Sequence, residues 1–333
     1  MPSLSLRENY LRALRHEETE YVPLNGWTSG GGDAALTGLL LPFDAGNEST
    51  GFRDGYGVRW EASEAAGGAR LPAPGEFILK DVTRWKKDIT IPDVEQCDWQ
   101  KIAEQEYALF NIDRDKQVLY FLSSNGVWER LAALMGFEEA MIALMEEPEV
   151  CTELFTAITD YKIRLAEKAA KYYKADVFIH FDDLATERNL FMSPETYRKL
   201  IKPHHKRLCE AVKNFGMLPV QHTCGYAESC VDDYIETGAA AWNAIQPRND
   251  IAGLLDKYGD RFSFEGGFDT TGKPGHSDAS IEDVTAEVER CFREYGGRKG
   301  FIFWPFLLST VEKAAEKNAA IVETANRLRF SGK

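Results

Sequence analysis

Ala175-Asp176-Val177-Phe178-Ile179-His180-Phe181 is followed by a helical pattern over about 194–215 and then by Met217-Leu218-Pro219-Val220-Gln221. Two apolar runs of strand length, too continuous to leave one face in water and separated by a helix, read as neighbouring parallel strands with a helical cover. The unit recurs outward in both directions. Val118-Leu119-Tyr120-Phe121-Leu122 precedes it; Ala239-Ala240-Ala241-Trp242-Asn243-Ala244-Ile245, Phe262-Ser263-Phe264-Glu265 and Gly300-Phe301-Ile302-Phe303-Trp304 follow. Helical patterns fill the gaps at about 126–146, 148–173, 227–237, 250–258, 280–296 and 307–329, and another covers 6–17. Ser193 before Pro194, and Ser280 before Glu282 and Asp283, mark helix starts. With the run at 21–27 and one more strand near Phe77 the count reaches eight. The fold expected is therefore α/β, a single (β/α)8 TIM barrel over 1–333 with an irregular insertion or lid at about 29–74. A doubly wound sheet is the alternative, weakened because no strand runs into Gly-x-Gly-x-x-Gly.

The 333 residues are 44% hydrophobic and 12% aromatic, a packed rather than disordered composition. Lys plus Arg number 39 against 53 Asp plus Glu, and the net charge of −14 disfavours nucleic acid and anionic membrane surfaces as partners. No apolar run reaches the length of a membrane span, and the first residues lack a signal-peptide pattern. Six cysteines, scattered without a disulfide-framework spacing, suit a reducing cytoplasm.

In a barrel of this kind chemistry gathers where strands end, so the candidates can be read off directly. Asn25 and Trp27 follow the first run, Asn125 the Val118 run, Asp182 and Asp183 the run containing His180, His222-Thr223-Cys224 the Met217 run and Gln246 the Ala239 run. Glu265, Trp304 and Phe306 complete the rim. His222 and Cys224 alternate at a strand end, so an imidazole and a thiolate face one way and could share a borderline-soft ion such as Zn2+. A buried thiol beside a hydrogen-bonded histidine is the plain alternative. Glu265 and Cys230 are the candidates for a third ligand, although a helical cysteine more often packs as a small hydrophobe. Asp182 and Asp183 are candidate acids, because adjacent carboxylates raise one another's pKa; equally, one could cap the next segment or pair with Arg188. His180 is either a proton carrier or an inward structural residue. Asn25, Trp27, Asn125, Gln246, Trp304 and Phe306 read as a substrate wall, with core packing the alternative for each aromatic. The run Lys202-Pro203-His204-His205-Lys206-Arg207 reads as a solvated helix face.

Phe181-Asp182-Asp183-Leu184-Ala185-Thr186, Phe191-Met192-Ser193-Pro194-Glu195-Thr196-Tyr197, Pro203 and His222-Thr223-Cys224-Gly225 together resemble the uroporphyrinogen decarboxylase superfamily, including its corrinoid methyltransferase branch. Arg7-Glu8-Asn9-Tyr10-Leu11-Arg12-Ala13-Leu14 with Tyr21-Val22-Pro23, and Gly266-Gly267-Phe268-Asp269, extend the likeness over most of the chain. The resemblance implies a barrel with its active site at the carboxyl rim. The decarboxylases hold a polycarboxylate with an Arg-Gln-Ala-Gly-Arg segment, whereas residues 25–33 here contain no arginine, so that substrate lacks its bidentate partners. In the methyltransferase branch, His-x-Cys and a distant cysteine bind zinc; His222 and Cys224 match the pair, but residues 303–306 hold no cysteine, and Cys291 precedes that strand. The resemblance then implies methyl transfer from a small methylated substrate, foremost a methoxylated aromatic (O-demethylation), to a corrinoid carried by a partner protein. It leaves room for a homodimer. A metal-independent lyase acting on a carboxylated substrate, or a noncatalytic corrinoid- or porphyrin-binding protein, are the alternatives.

Overall fold

The structure, a computed structural model, describes residues 3–27, 31–43, 51–63, 68–307 and 311–330. Nine strands appear among them: β1 (Ala34–Thr37), β2 (Trp60–Ala62), β3 (Arg70–Pro72), β4 (Val118–Ser123), β5 (Val177–Phe181), β6 (Leu218–His222), β7 (Ala241–Ile245), β8 (Ser263–Gly267) and β9 (Phe301–Trp304). The α-helices are α1 (Leu6–Leu14), α2 (Trp85–Asp88), α3 (Trp99–Leu109), α4 (Val127–Met135), α5 (Phe137–Glu146), α6 (Pro148–Lys168), α7 (Pro194–Thr196), α8 (Lys202–Asn214), α9 (Val231–Thr237), α10 (Ile251–Tyr258), α11 (Ile281–Tyr295) and α12 (Ala314–Phe330). Seven strands form one parallel sheet in the order β1-β4-β5-β6-β7-β8-β9, and β2 pairs antiparallel with β3. The sheet curls, and Leu24 bridges the gap between its two edges. Leu24 makes a single parallel bridge to Phe303 of β9, and its carbonyl accepts from the amide of Asp33, the residue before β1. The fold is thus TIM-like, with six strands where the apolar runs place them.

Two departures concern the remaining strands. The run at 21–27 contributes one bridge rather than a strand, and the segment around Phe77 is no strand at all: the Leu79 amide donates 3.0 Å to the carbonyl of Leu134, tying it to α4. The sheet member is instead β1, inside the span expected to be irregular, where four residues are too few to show a period. The described remainder of that span includes the β2–β3 hairpin. The helix expected over 126–146 is divided at Gly136, whose φ of 92° is the left-handed conformation glycine takes at little cost. The cap at α11 is reciprocal: Ser280 Oγ accepts from the Asp283 amide (3.1 Å) and Asp283 Oδ2 from the Ser280 amide (2.7 Å).

Strand register decides which side chains face the axis. Val118, Tyr120, Val177, Ile179, Val220, Ala241 and Ile302 form one buried cluster with Tyr10, Leu11 and Leu14, so α1 plugs the end of the sheet away from the rim. The alternate residues Leu119, Phe121, Phe178, Trp242, Phe264 and Phe303 pack outward against the helices. No described helix is long and apolar enough to cross a membrane.

Candidate functional site

The same alternation carries the inward face up to the rim. Phe181 and His222 pair across β5 and β6, and His222 and Asn243 across β6 and β7. Phe181 stacks on the imidazole with ring centres 3.6 Å apart and planes 5° from parallel, which fixes the ring plane. The Asn243 amide nitrogen donates to Glu265 (2.9 Å), so its oxygen faces His222 Nδ1 at 2.5 Å and accepts that proton. Nε2 is left with its lone pair outward, the tautomer a metal ligand needs.

Nε2 meets two further donors. Cys224 Sγ lies 3.5 Å away and Asp183 Oδ1 3.9 Å away, and the donor atoms of the three residues all lie within 4.8 Å of one another. Zinc bonds of about 2.3 Å to sulfur and 2.0–2.1 Å to nitrogen, meeting at a tetrahedral angle, separate S and N by about 3.6 Å. The pair is set at that spacing, and the nitrogen–sulfur–oxygen set suits zinc. Asp183 Oδ1 also accepts the Cys224 amide (2.7 Å), locking the loop to the carboxylate. Burial, then the charges of Asp183 and Glu129, push the Cys224 thiol well above its usual range, so a cation is what would ionise it.

Beneath the trio is a second polar layer. Glu265, fully buried, accepts from Asn243 (2.9 Å), Asn25 (3.3 Å), Tyr10 (3.2 Å) and Tyr120. Burial raises its pKa from 4.5 to about 7 against these lowering hydrogen bonds. The unfolded chain therefore loses this proton first as pH rises, and stability falls between about pH 4.5 and 7 by up to about 3 kcal/mol. Glu265→Gln is expected to flatten that part of the stability–pH curve, read by urea unfolding at several pH values. An unchanged slope would refute the assignment.

His222 and Cys224 open into a cavity of about 320 Å³ whose walls include Trp27, Phe181, Gln246, Trp304 and Phe306, with no Lys, Arg, Asp or Glu among the described residues of its lining. Trp304 stacks on Phe306 (5.5 Å, 13°) and meets Trp27 and His222 edge-on at 5.9 and 6.1 Å. Asp183 faces a second cavity of about 480 Å³, roofed by Trp60, Arg70 and Leu71 of the β2–β3 hairpin and floored by Trp128 and Glu129 of α4. The trio stands between the two.

Against known proteins, the family model described as Uroporphyrinogen decarboxylase (URO-D) matches residues 110–328. The chain belongs to the uroporphyrinogen decarboxylase family. A solved methyltransferase from Methanosarcina mazei superposes with a TM-score of 0.74 over 98% of this chain and 99% of its own, at 12% identity, a likeness of fold alone. A GH113 beta-1,4-mannanase gives 0.44 at 12% identity over 96% of this chain and 93% of its own. D-Psicose 3-epimerase with D-tagatose from Clostridium cellulolyticum H10 gives 0.40 at 7% identity over 69% and 81%. No curated protein sequence matches.

Within this uroporphyrinogen decarboxylase family fold, the third member of the donor cluster is Asp183, expected as an acid. Neither candidate for the third ligand joins it. Glu265 reaches His222 only through Asn243, and Cys230 is buried at the start of α9, where burial pushes its thiol up to about 12. Asp182 is likewise displaced from the catalytic role. Fully buried, it accepts from the amides of Trp128 (3.3 Å) and Glu129 (2.9 Å) at the start of α4 and contacts His205 Nε2 at 2.8 Å; a Cβ on Gly126 would sit 2.2 Å from its carboxyl carbon. The helix it caps is α4, earlier in the chain, rather than the next segment or a partner in Arg188. His180 is on the outward face of β5, packed on His205 and 3.8 Å from Cys209, and burial holds it well below its usual pKa, neutral and out of reach of the cavities. Asn25 supports Glu265 rather than lining a cavity, Asn125 lines the second cavity, and Gln246 accepts the Gly225 amide (2.9 Å) beside the first. In the Lys202 run, His204 and His205 are buried, so that helix face is not a solvated one throughout.

Three participants escape the sequence reading. Asn243 sits at an inward position of an apolar run, a signal that alternation from Ala241 exposes. Glu129, on α4, comes beside Asp183 only through the fold; burial, then the charges of Asp183 and Asp182, push its carboxyl well above the usual range. Tyr10 arrives from α1, at the opposite end of the chain from Glu265.

Proposed function

We propose that this chain is a corrinoid-dependent methyltransferase that takes a methyl group from a small methylated substrate, foremost a methoxylated aromatic, and passes it to the reduced corrinoid of a partner protein. One observation carries the reading: a histidine–cysteine–aspartate donor set, with its histidine tautomer already fixed, opens into an aromatic cavity whose described lining residues carry no charged side chain. The family and the fold it shares with a methyltransferase support it. Among the described residues of the first cavity a polycarboxylate would meet no Lys or Arg, which argues against the decarboxylating alternative.

In the reaction the C–O bond of the ether breaks with its electron pair left on oxygen, the methyl carbon bonds to Co(I), which is oxidised to Co(III), and the oxygen takes up a proton. The leaving oxygen is basic, so its charge must be met as it develops. His222, Cys224 and Asp183 are the residues that would hold zinc, which when bound supplies Lewis acidity at that oxygen. Trp27, Trp304 and Phe306 orient the ring and exclude water; Asn243 keeps His222 in register.

The test is to incubate the protein with a reduced corrinoid protein and a panel of methoxylated aromatics and follow methylcobalamin absorbance. Signal with at least one ether is expected; none across the panel overturns the reading. Trp304→Ala is expected to lower kcat/KM roughly 10- to 100-fold, mostly through KM, because it removes about 1.5–3 kcal/mol of buried aromatic contact. An unchanged KM would place the substrate elsewhere.

A further inference from the structure

Helix α5 turns an apolar stripe to solvent. Phe137, Met141 and Met145 recur at four-residue spacing with Ile142 beside them, and Phe137, Ile142 and Met145 are 50%, 42% and 70% exposed. Ala140, Ala143 and Leu144 on the opposite side are what α5 buries. Solvated helix faces of this kind are polar as a rule, and a contiguous apolar patch marks a contact site.

The chain on either side of the stripe is acidic. Between Arg130 and Lys162 the chain carries no Lys or Arg, while Glu138, Glu139, Glu146, Glu147 and Glu149 rim the stripe. The cations at the neighbouring cavity mouth are engaged with rings, Arg70 over Phe52 at 3.9 Å and Lys80 near Phe77 at 5.9 Å. The stripe is also continuous with the second cavity: Phe137 lines both, next to Leu71, and that cavity ends on Asp183.

We propose that the α5 stripe is the docking face for the methyl-accepting partner, a protein presenting an apolar patch ringed by Lys and Arg, which delivers its corrinoid to the metal trio through the mouth of the second cavity. Charge decides the occupant. A second copy would set glutamate rim against glutamate rim, whereas a basic rim is attracted over a Debye length and oriented by the same charges. The flexible thioethers of Met141 and Met145 suit a surface that must accept and release its partner each turnover. The substrate then enters by the first cavity and the acceptor by the second. This rests on the methyl-transfer reading above.

The experiment compares two acceptors, the reduced corrinoid protein and free cob(I)alamin, with wild type, Met145→Glu and the charge-reversed Glu138→Lys/Glu139→Lys/Glu146→Lys. All four positions are exposed and outside the donor set and cavity walls, so folding is preserved. Expected is a roughly tenfold lower rate with subsaturating corrinoid protein for either variant, unchanged rates with free cob(I)alamin, and loss of the salt dependence of association in the charge-reversed protein. Equal rates for wild type and Met145→Glu on the protein acceptor overturn the docking face. So does a wild-type dimer in sedimentation that Met145→Glu dissociates, since a second copy would then cover the stripe. If neither acceptor is methylated, the methyl-transfer reading fails, and titration of labelled corrinoid protein against the same variants still judges the surface.

Discussion

Cys224→Ser is expected to lower methyl transfer at least about 10³-fold while leaving the fold intact. The sulfur supplies the soft donor of the trio, and serine, whose hydroxyl stays protonated near neutral pH, replaces a thiolate by a weak neutral ligand. The rest of the site tolerates the change. Cys224 is only partly exposed, its amide bond to Asp183 is retained, and the replacement is slightly smaller than what it replaces. His222→Ala should do as much through loss of the nitrogen. Asn243→Ala should cost less, about 10- to 100-fold, because it releases the imidazole rather than removing it. Steady-state rates with matched thermal melts separate these outcomes from misfolding; a Cys224→Ser protein within about threefold of wild type would show that the sulfur takes no part in the chemistry.

The largest expected effect on stability lies away from the chemistry, at Asp54→Ala. Asp54 Oδ2 takes Arg130 Nη1 at 2.5 Å and Trp60 Nε1 at 2.9 Å, and Oδ1 takes the amides of Tyr56 and Val58, both at 3.0 Å. The ion pair is buried, with side chains 0% and 1% exposed. Removing the carboxylate leaves a guanidinium in the interior above the Tyr56 ring, its centre 4.1 Å away. Breaking one half of such a pair costs about 3–5 kcal/mol, roughly 6–15 °C in Tm for a chain of this size. The β2–β3 hairpin would loosen from α4 with it, so the second cavity should lose its roof. Calorimetry reads the first effect. A Tm within about 2 °C of wild type would contradict the packing described for Asp54.

Six sheet strands were legible because each is an apolar run long enough to state its period and bounded by a helix. β1 was not, being four residues after a glycine-rich stretch, and the segment around Phe77 imitated a strand by apolar content while bonding to α4. The rim rule listed Asp183 as an acid and His222 and Cys224 as ligands, since each ends or follows a strand. It could not tell the two acids apart, because Asp182 and Asp183 are neighbours in sequence that the β5 turn sends to opposite tasks: one to the amides of α4, the other to Cys224 and His222. His180 failed for the simplest reason. Two residues before Asp182 on a strand whose inward positions are Val177, Ile179 and Phe181, it faces the helices, and parity along the strand would have said so. Glu129 and Tyr10 carry no local signal. Their meaning comes from contacts made across 53 and 255 residues, respectively, and only the folded chain displays them.

Everything proposed for catalysis depends on Asp183, His222 and Cys224 holding one metal ion. The most direct measurement is the zinc content of the purified protein beside that of Cys224→Ser, both dialysed against the same buffer. About one zinc per chain in the wild type and nearly none in the variant is the expected result. Equal contents in the two, whether both full or both empty, would contradict it.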